Sequence, residues 1–466
     1  MTYKVISIAA AALLTATTTA AVAQQPSFPL KPGGKELVYY YDARGNRILD
    51  FSYCGYRNSD EPIPDMEVAI RVPLTEGDQS DRIQRAVDYV SSLPKSADGR
   101  RGAVLLEAGC YPIDKPIRIT ESGVVLRGSG TGTTTLLKRG TDRGAVVYIE
   151  GRNDFRVTDT VDIVSSYVPV NATGMRVASA KNLSEGMRVA VLRPSTAHWI
   201  TTMRCNDFGG GIEVLGWKPG DADLLWDRRI VRIEGDSVTV NAPLTAALDK
   251  THADAVMMRY EWSGRIEECG VENLLVAAEC DTAENEMDEN HAWTGISIDC
   301  AENCWVRHVD FEGLAGSAVI VGRQGSNITV EDCISRNPVS EIAGMRRRTF
   351  HTMGQHTLFQ RCLSEHGIND FAAGMNAPDP MPSYSARLWM HTDSAARQAR
   401  GPADCCSTWW TSTATTCASA TCAARRTAWV GIRATASSGS VRPPASSAPR
   451  PHLMQKTGPT PAGRNL

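Results

Sequence analysis

The sequence predicts an all-β fold: a right-handed, single-stranded parallel β-helix with an N-terminal capping helix and a β-rich insertion. Three observations predict it. Short apolar strands follow one another with glycine or proline at the corners and no regular hairpins, as in 103–111, 117–119 and 123–130. A coil-length repeat then runs through 271–276, 301–306, 325–330 and 354–359, with Asn273, Asn303, Asn327 and His356 at equivalent places and separations of 30, 24 and 29 residues. One amphipathic helix precedes all of this: Ile83, Ala86, Val87 and Val90 recur at helical spacing after Asp78-Gln-Ser-Asp81, and the pattern stops near Leu93-Pro94.

In chain order, Lys4 is followed by an apolar and small-residue run that ends Ala21-Val22-Ala23. That is the pattern of a secretory signal peptide cleaved after Ala23, and the threonines at 15 and 17–19 make it a poor spanning helix. Export, to the periplasm or beyond the cell, is the expected localisation, with no membrane attachment after cleavage. Residues 24–50 read as a polar leader and 51–56 as a first strand. Coils with the capping helix are expected over 51–164, the β-rich insertion over 165–260 and further coils over 261–378. The insertion is expected because "RVAVLRP", "RIVRIEGDSVTVNAPL" and "AVMMRYEW" alternate apolar and polar residues; a small independent domain is the alternative. Asparagines stacked from coil to coil would satisfy turn backbone groups, so that set reads as structural.

The helix, "VLLEAGCYPIDKPIRI" and "SGVVLRGSGTGTTTL" together resemble the opening of pectate-lyase-superfamily β-helices. The resemblance covers residues 50–140 closely and 260–377 more loosely. It implies a helix that caps the N-terminal end, and a carbohydrate-active protein with a polysaccharide as partner. It does not choose a reaction, since one fold hosts many chemistries. The Asp-Asp and Gly-His-Gly signatures of the polygalacturonase branch are absent before the tail, as is the compact aspartate and arginine pattern of the best-known pectate lyases.

After about Pro378 the composition breaks. No Glu follows Glu365, no Phe follows Phe371, and four of the ten tryptophans, Trp389, Trp409, Trp410 and Trp429, lie in the tail. Under permitted codons a neighbouring frame of 377–391 reads AGPNAFVQCEAVDA, and one of 429–435 reads GWNTGN. These peptides alternate like strands, and NAFVQC echoes the Asn-led coils. The expectation is a frameshifted tail over 379–466, with the last coils and the C-terminal cap lost. A disordered Ala/Thr-rich tail is the alternative.

The net charge of -3 argues against a nucleic-acid partner, which calls for a basic stripe. Thirteen cysteines in an exported chain admit disulfides, with Cys300 and Cys304 or Cys269 and Cys280 as near pairs, or small apolar residues in stacked rungs. The polar cluster is 331–370. A lyase acting on a uronic-acid polymer needs a base for the proton beside the carboxylate and a positive group to hold the developing charge. Arg347, His351 and His366 fit those roles by type, and Asp370 joins them in Glu-His-Gly-Ile-Asn-Asp. An inverting hydrolase needs two carboxylates flanking a water, which Asp332, Glu365 and Asp370 could supply. The Arg346-Arg347-Arg348 run also reads as a solvated turn, and His356 as a structural member of the Asn set. The acidic stretch 279–290 could take Ca²⁺, against a plain solvated loop. Trp293 and Trp305 could stack on sugars or fill core. Gly128-Ser-Gly-Thr-Gly132 lacks the ending of a phosphate loop. Three readings follow: a secreted lyase with hydrolase as its rival, a non-catalytic glycan-binding β-helix, and an inactive truncated product.

Overall fold

The computed structural model describes residues 40–207, 216–281, 287–342, 346–374 and 377–378, and the backbone of 30–33, 36–39, 383–384 and 387–389. These residues fall in one compact unit, 1–431. Their strands stack in parallel register on three faces. The first face runs through Val68–Val72, Gly102–Leu106, Val124–Arg127, then the leading halves of Gly270–Ala278 and Ala301–Glu312, then Ser326–Glu331 and Leu358–Gln360. The second runs through Gly109–Ile113, Thr134–Lys138, the trailing halves of the same two long strands, Ile334–Arg336 and Leu363–Glu365. The third runs through Ile117–Ile119, Ala145–Glu150, Thr294–Asp299, Ser317–Val321, Phe350–Thr352 and Phe371–Ala373. The chain is therefore a parallel β-helix.

Register explains the interior. Side chains alternate across each strand, so in-register pairing stacks like on like. On the first face Ile70, Val104, Leu126, Val271, Val306, Val330 and Phe359 form one file. All but Ile70 are fully buried, each worth about 1.5–3 kcal/mol of apolar burial. The helix Ser80–Ser92 lays Ile83, Ala86, Val87 and Val90 on this core, as its spacing predicts. The Asp78 carboxylate accepts the Ser80 N–H at 3.1 Å and the Ser80 hydroxyl at 2.6 Å.

The corners correct the asparagine set. Asn303, Asn327 and His356 do share one column, all at positive φ (51°, 55° and 49°). The residue of the preceding coil in that column is Glu268 (φ 57°), not Asn273. Asn273 (φ 59°) stands at the next corner, in register with His308, Asp332 and Arg361, which are also at positive φ. Both corners require the left-handed conformation that Asn tolerates best, so the same residue type marks two different places. Gly128 closes against this corner: a Cβ there would stand 2.4 Å from the Asn273 carbonyl. The Gly-rich stretch is thus corner packing.

Residues 51–56 are not a strand. They form the tight turns Phe51–Tyr53 and Tyr56–Ser59, which lie across the outside of the first face. The Tyr56 hydroxyl donates to Glu268 at 2.7 Å and its ring meets Trp305 edge-on at 5.4 Å. Their apolar residues cover a sheet instead of alternating within one.

The insertion begins earlier than expected, at Arg156. Six antiparallel strands run in the order Arg156–Asp162, Val256–Glu261, Arg188–Arg193, Leu224–Glu234, Ser237–Val240 and Gly174–Arg176. An antiparallel bridge between Ile163 and Val177 returns the last to the first, closing a small barrel with its own core around Val189, Val191, Leu224, Trp226 and Met257. It leaves the β-helix after Ala145–Glu150 and rejoins it at Ile266–Glu267. Asp227, Arg265, Arg188 and Glu302 form ion pairs at that junction, with Arg265 to Asp227 at 2.6 Å and Arg188 to Glu302 at 2.8 Å.

Past Pro378 the parallel pairing continues through the backbone of Ser383–Tyr384 and Arg387–Trp389. The rest of the expected frameshifted tail lies outside the described residues, as does the N-terminal run read as a signal peptide. Among the described residues no helix is long and apolar enough to cross a membrane.

Candidate active site

The last described coils differ from the rest on the inside. The second-face file reads Tyr111, Leu136, Val276, Phe311, then Ser335 and Ser364. Buried hydroxyls need partners. The Ser364 hydroxyl donates to Asp370 Oδ1 at 2.6 Å and meets the Thr349 hydroxyl at 2.7 Å. Asp370 is 2% exposed, and burial pushes its carboxyl up to about 7, with the Ser364 hydrogen bond opposing. At Gly367 a Cβ would stand 1.9 Å from Oδ1, so this approach requires glycine.

His351 is the middle residue of Phe350–Thr352. Phe350 packs inward against Phe359 and Phe371, at 5.8 and 5.2 Å between ring centroids. His351 is nonetheless 4% exposed, and its Nε2 has no hydrogen-bond partner among the described residues. Burial pushes its pKa down to about 4, and the Arg348 charge adds to the effect. Arg348 is itself buried, which lowers its pKa. Gly374 lies against the imidazole; a Cβ there would stand 2.3 Å from Nε2. His351 pairs with Ala372 and Phe350 with Phe371, so Asp370 follows on the next rung.

The other two predicted residues are placed differently. Arg347 sits at positive φ (51°) and donates from Nε to the Ser340 hydroxyl at 3.2 Å and from Nη2 to the Ser340 carbonyl at 2.8 Å. Its Nη1 reaches the His366 carbonyl at 3.5 Å. Arg347 thus ties two loops together. His366 is exposed and occupies a left-handed corner (φ 59°), one place past the paired rungs, in line with Asn337 (φ 49°) and Gly313 (φ 71°). The structure sets Arg348 beside His351, turns the Asp370 carboxyl inward to Ser364, and leaves the His366 side chain outside. The sequence reading singled out Arg347 and passed over Arg348, Thr349 and Ser364. The usable signal was parity: Phe350 faces inward, so His351 does not.

The carboxylates weighed for hydrolysis do not meet. Arg361 grips Asp332 through two bonds of 2.7 Å, which holds its pKa down, and Glu365 stands 3.7 Å from Arg336 on the outside. In the acidic stretch, Asp288 accepts backbone N–H groups from Asp281 and Asn290 at 3.1 and 2.8 Å; residues 282–286 lie outside the described residues. Among the described residues no group of three or more His, Cys, Asp or Glu could hold a metal ion. Trp305 is fully buried and donates to Glu272 at 3.1 Å, whereas Trp293 is half-buried, with Arg143 and Arg346 each 5.7 Å from its ring. The expected near cysteine pairs are not bonded. Cys269, Cys280, Cys300 and Cys304 are free thiols, and Cys269 instead contacts Cys304 on the adjoining rung, as Cys333 contacts Cys362.

These features define a three-faced parallel β-helix carrying a barrel insertion and a buried histidine and aspartate near its C-terminal coils. Among solved structures the chain is similar to the tailspike gp61 of Pseudomonas phage phi297, with 10% identity and a TM-score of 0.39 over 62% of this chain and 43% of that one. It is also similar to the tailspike gp49 of Pseudomonas phage LKA1, with 15% identity and a TM-score of 0.37 over 66% and 44%. A third is the A-module of the Azotobacter vinelandii mannuronan C-5 epimerase AlgE6, with 10% identity and a TM-score of 0.32 over 69% and 54%. The matched regions span less than half the length of the two tailspikes. No protein-family model matches the chain, and no curated protein does.

Proposed function

We propose that this chain is an exported, carbohydrate-active β-helix protein that cleaves a uronic-acid polysaccharide by β-elimination. The observation that carries the reading is the Nε2 of His351, unpartnered among the described residues, with the Arg348 charge beside it. Burial keeps His351 neutral, which suits it to act as the base. Neutral His351 takes the proton from the carbon beside the sugar carboxylate. That C–H pair becomes the new carbon–carbon double bond, and the bond to the neighbouring glycosidic oxygen breaks. The departing oxygen keeps its pair and takes a proton from water, because the Asp370 carboxyl is turned inward to Ser364. Arg348 holds the carboxylate on which charge develops. Arg347 cannot do so while its guanidinium ties Ser340 to the His366 carbonyl.

The test is incubation of the full chain with a panel of polyuronates, reading unsaturated ends by ultraviolet absorption and reducing ends chemically. kcat/KM should rise above about pH 4, where His351 loses its proton. His351→Ala should lower turnover by about a hundredfold or more, and Asp370→Asn by much less. Reducing ends without unsaturation would replace this reading with hydrolysis. Saturable binding without either product would leave a glycan-binding module.

A further inference from the structure

The barrel carries a charge where its pattern calls for an apolar residue. In the strand Arg188–Arg193, Val189 and Val191 face the barrel core, and Arg193 holds the next core-facing place, paired with buried Leu224. Arg193 is 6% exposed. Its Nε and Nη2 donate to none of the described residues. Its guanidinium lies over the Trp199 ring, 4.4 Å from the centroid, and Trp199 stacks on half-buried Trp217 at 5.9 Å. A ring beneath the guanidinium compensates its charge in part but leaves the in-plane N–H fork unmade. Asp223 is the nearby carboxylate, and its Oδ1 is committed to the Ser195 N–H and hydroxyl, at 2.7 and 2.8 Å. Ser195 Oγ in turn accepts the N–H groups of Gly220 and Ala222, both at 3.1 Å. Burial accordingly pushes Arg193 down to about 10. The surrounding rim is aromatic: exposed His198 stacks on His252 at 5.3 Å, and Ile200, Met203 and Ala222 complete the packing around Trp199.

A buried, unpaired cation is destabilising, and replacing it with an apolar side chain of similar shape ordinarily stabilises a protein. Its retention in a core-facing place makes sense if an anion completes it. We infer that Arg193 is an oxyanion-binding residue at the end of the barrel, and that it takes the carboxylate of an acidic sugar whose ring packs against half-buried Trp217. The planar fork of Arg193 matches a carboxylate through two parallel hydrogen bonds. The choice of an acidic sugar rests on the function proposed above; the anion site does not. A separate barrel would then hold the polymer whose cleavage is assigned to the β-helix.

Thermal unfolding of the full chain tests this without reference to turnover. The probes are a free hexuronate, its neutral hexose and inorganic sulfate, at matched ionic strength. Hexuronate at about a hundredfold excess over its Kd should raise Tm by about 3 °C, and the neutral hexose should not. Arg193→Met should abolish that shift while raising the Tm of the ligand-free chain. A shift with sulfate alone would overturn the sugar assignment and leave an anion site. No shift with any probe, together with a lower Tm for Arg193→Met, would overturn the whole inference and make Arg193 a structural residue. A hexuronate shift in a protein that forms no unsaturated product would keep the site and remove the lyase.

Discussion

The coils before residue 326 and those after it are built on the same three faces but filled differently. In the earlier coils the interior files are almost wholly apolar, as in Leu126, Val271 and Val306 on the first face and Leu136, Val276 and Phe311 on the second. In the later ones Ser335, Ser364, Thr349, Thr352, Thr357 and Asp370 enter the interior, and a histidine is buried on the third face. Apolar files need only register, and tolerate any coil stacked above them. Polar interiors need specific partners, so they bind the coils to one arrangement and hold groups whose protonation differs from that in water. The uniform part is scaffold, and the site is sought where uniformity stops.

The largest expected effect comes from breaking the aromatic cluster of the later coils. Phe350 packs between Phe359 and Phe371. Phe350→Ala should cost about 3–5 kcal/mol in denaturant unfolding, the usual loss for a buried ring. A cost under about 1 kcal/mol would mean that the hydroxyl and carboxyl network alone holds these coils.

Protonation should separate the two regions next. Asp370 has a folded pKa of about 7 against an unfolded value of about 3.9. The native state therefore binds the proton more tightly. The stability this confers is fully present below about pH 4 and is lost as pH rises through about 7, by about 4 kcal/mol at most. His351 has the opposite sign, since its folded pKa of about 4 lies below that of a free histidine and costs stability as pH falls towards 4. Because the two contributions oppose each other over the same window, Asp370→Asn should unmask a stability that rises from about pH 4 to about pH 6.5. An unchanged profile in that variant would show that Asp370 is not the titrating group. Ser364→Ala should cost a further but smaller amount, about 1–2 kcal/mol, by leaving the buried carboxyl without its donor.

Much of the scaffold was legible in the sequence, because short apolar strands with glycine corners and a coil-length repeat leave a period that survives variable loops. The helix Ser80–Ser92 was legible for the same reason. The asparagine column was readable only in part. Asn273 and Asn303 look alike because both sit at positive φ, yet they serve different corners, and only strand register separates them. The start of the barrel was hidden because Arg156–Asp162 is mostly solvent-facing, so no apolar alternation announces it. At the site the residue types were readable and their roles were not. Arg347 and Arg348 are neighbours in a run of three, and only the positive φ at Arg347 sends one to Ser340 and leaves the other beside His351. His366 matched a base by type, but its place continues the left-handed corner of Gly313 and Asn337.

What the two regions share is that corner geometry, and it supplies the smallest and cleanest comparison. Asn327 has φ 55° and donates from Nδ2 to the Asn58 side chain at 2.8 Å and the Gly55 carbonyl at 3.2 Å. Asn327→Ala and Asn327→Gly both remove those hydrogen bonds, which fasten the turns at 51–59 to the coil. Only alanine also forces a Cβ into the left-handed region, at about 1 kcal/mol, against a glycine entropy cost of about half that. Alanine should therefore be the worse substitution by roughly 0.5–1 kcal/mol in equilibrium unfolding. If the two variants are equally stable, the corner is held by its side-chain bonds and not by its backbone. Asparagine in this column would then record the attachment of the N-terminal turns, not the geometry of the coil, and the likeness between the earlier and later halves would rest on register alone.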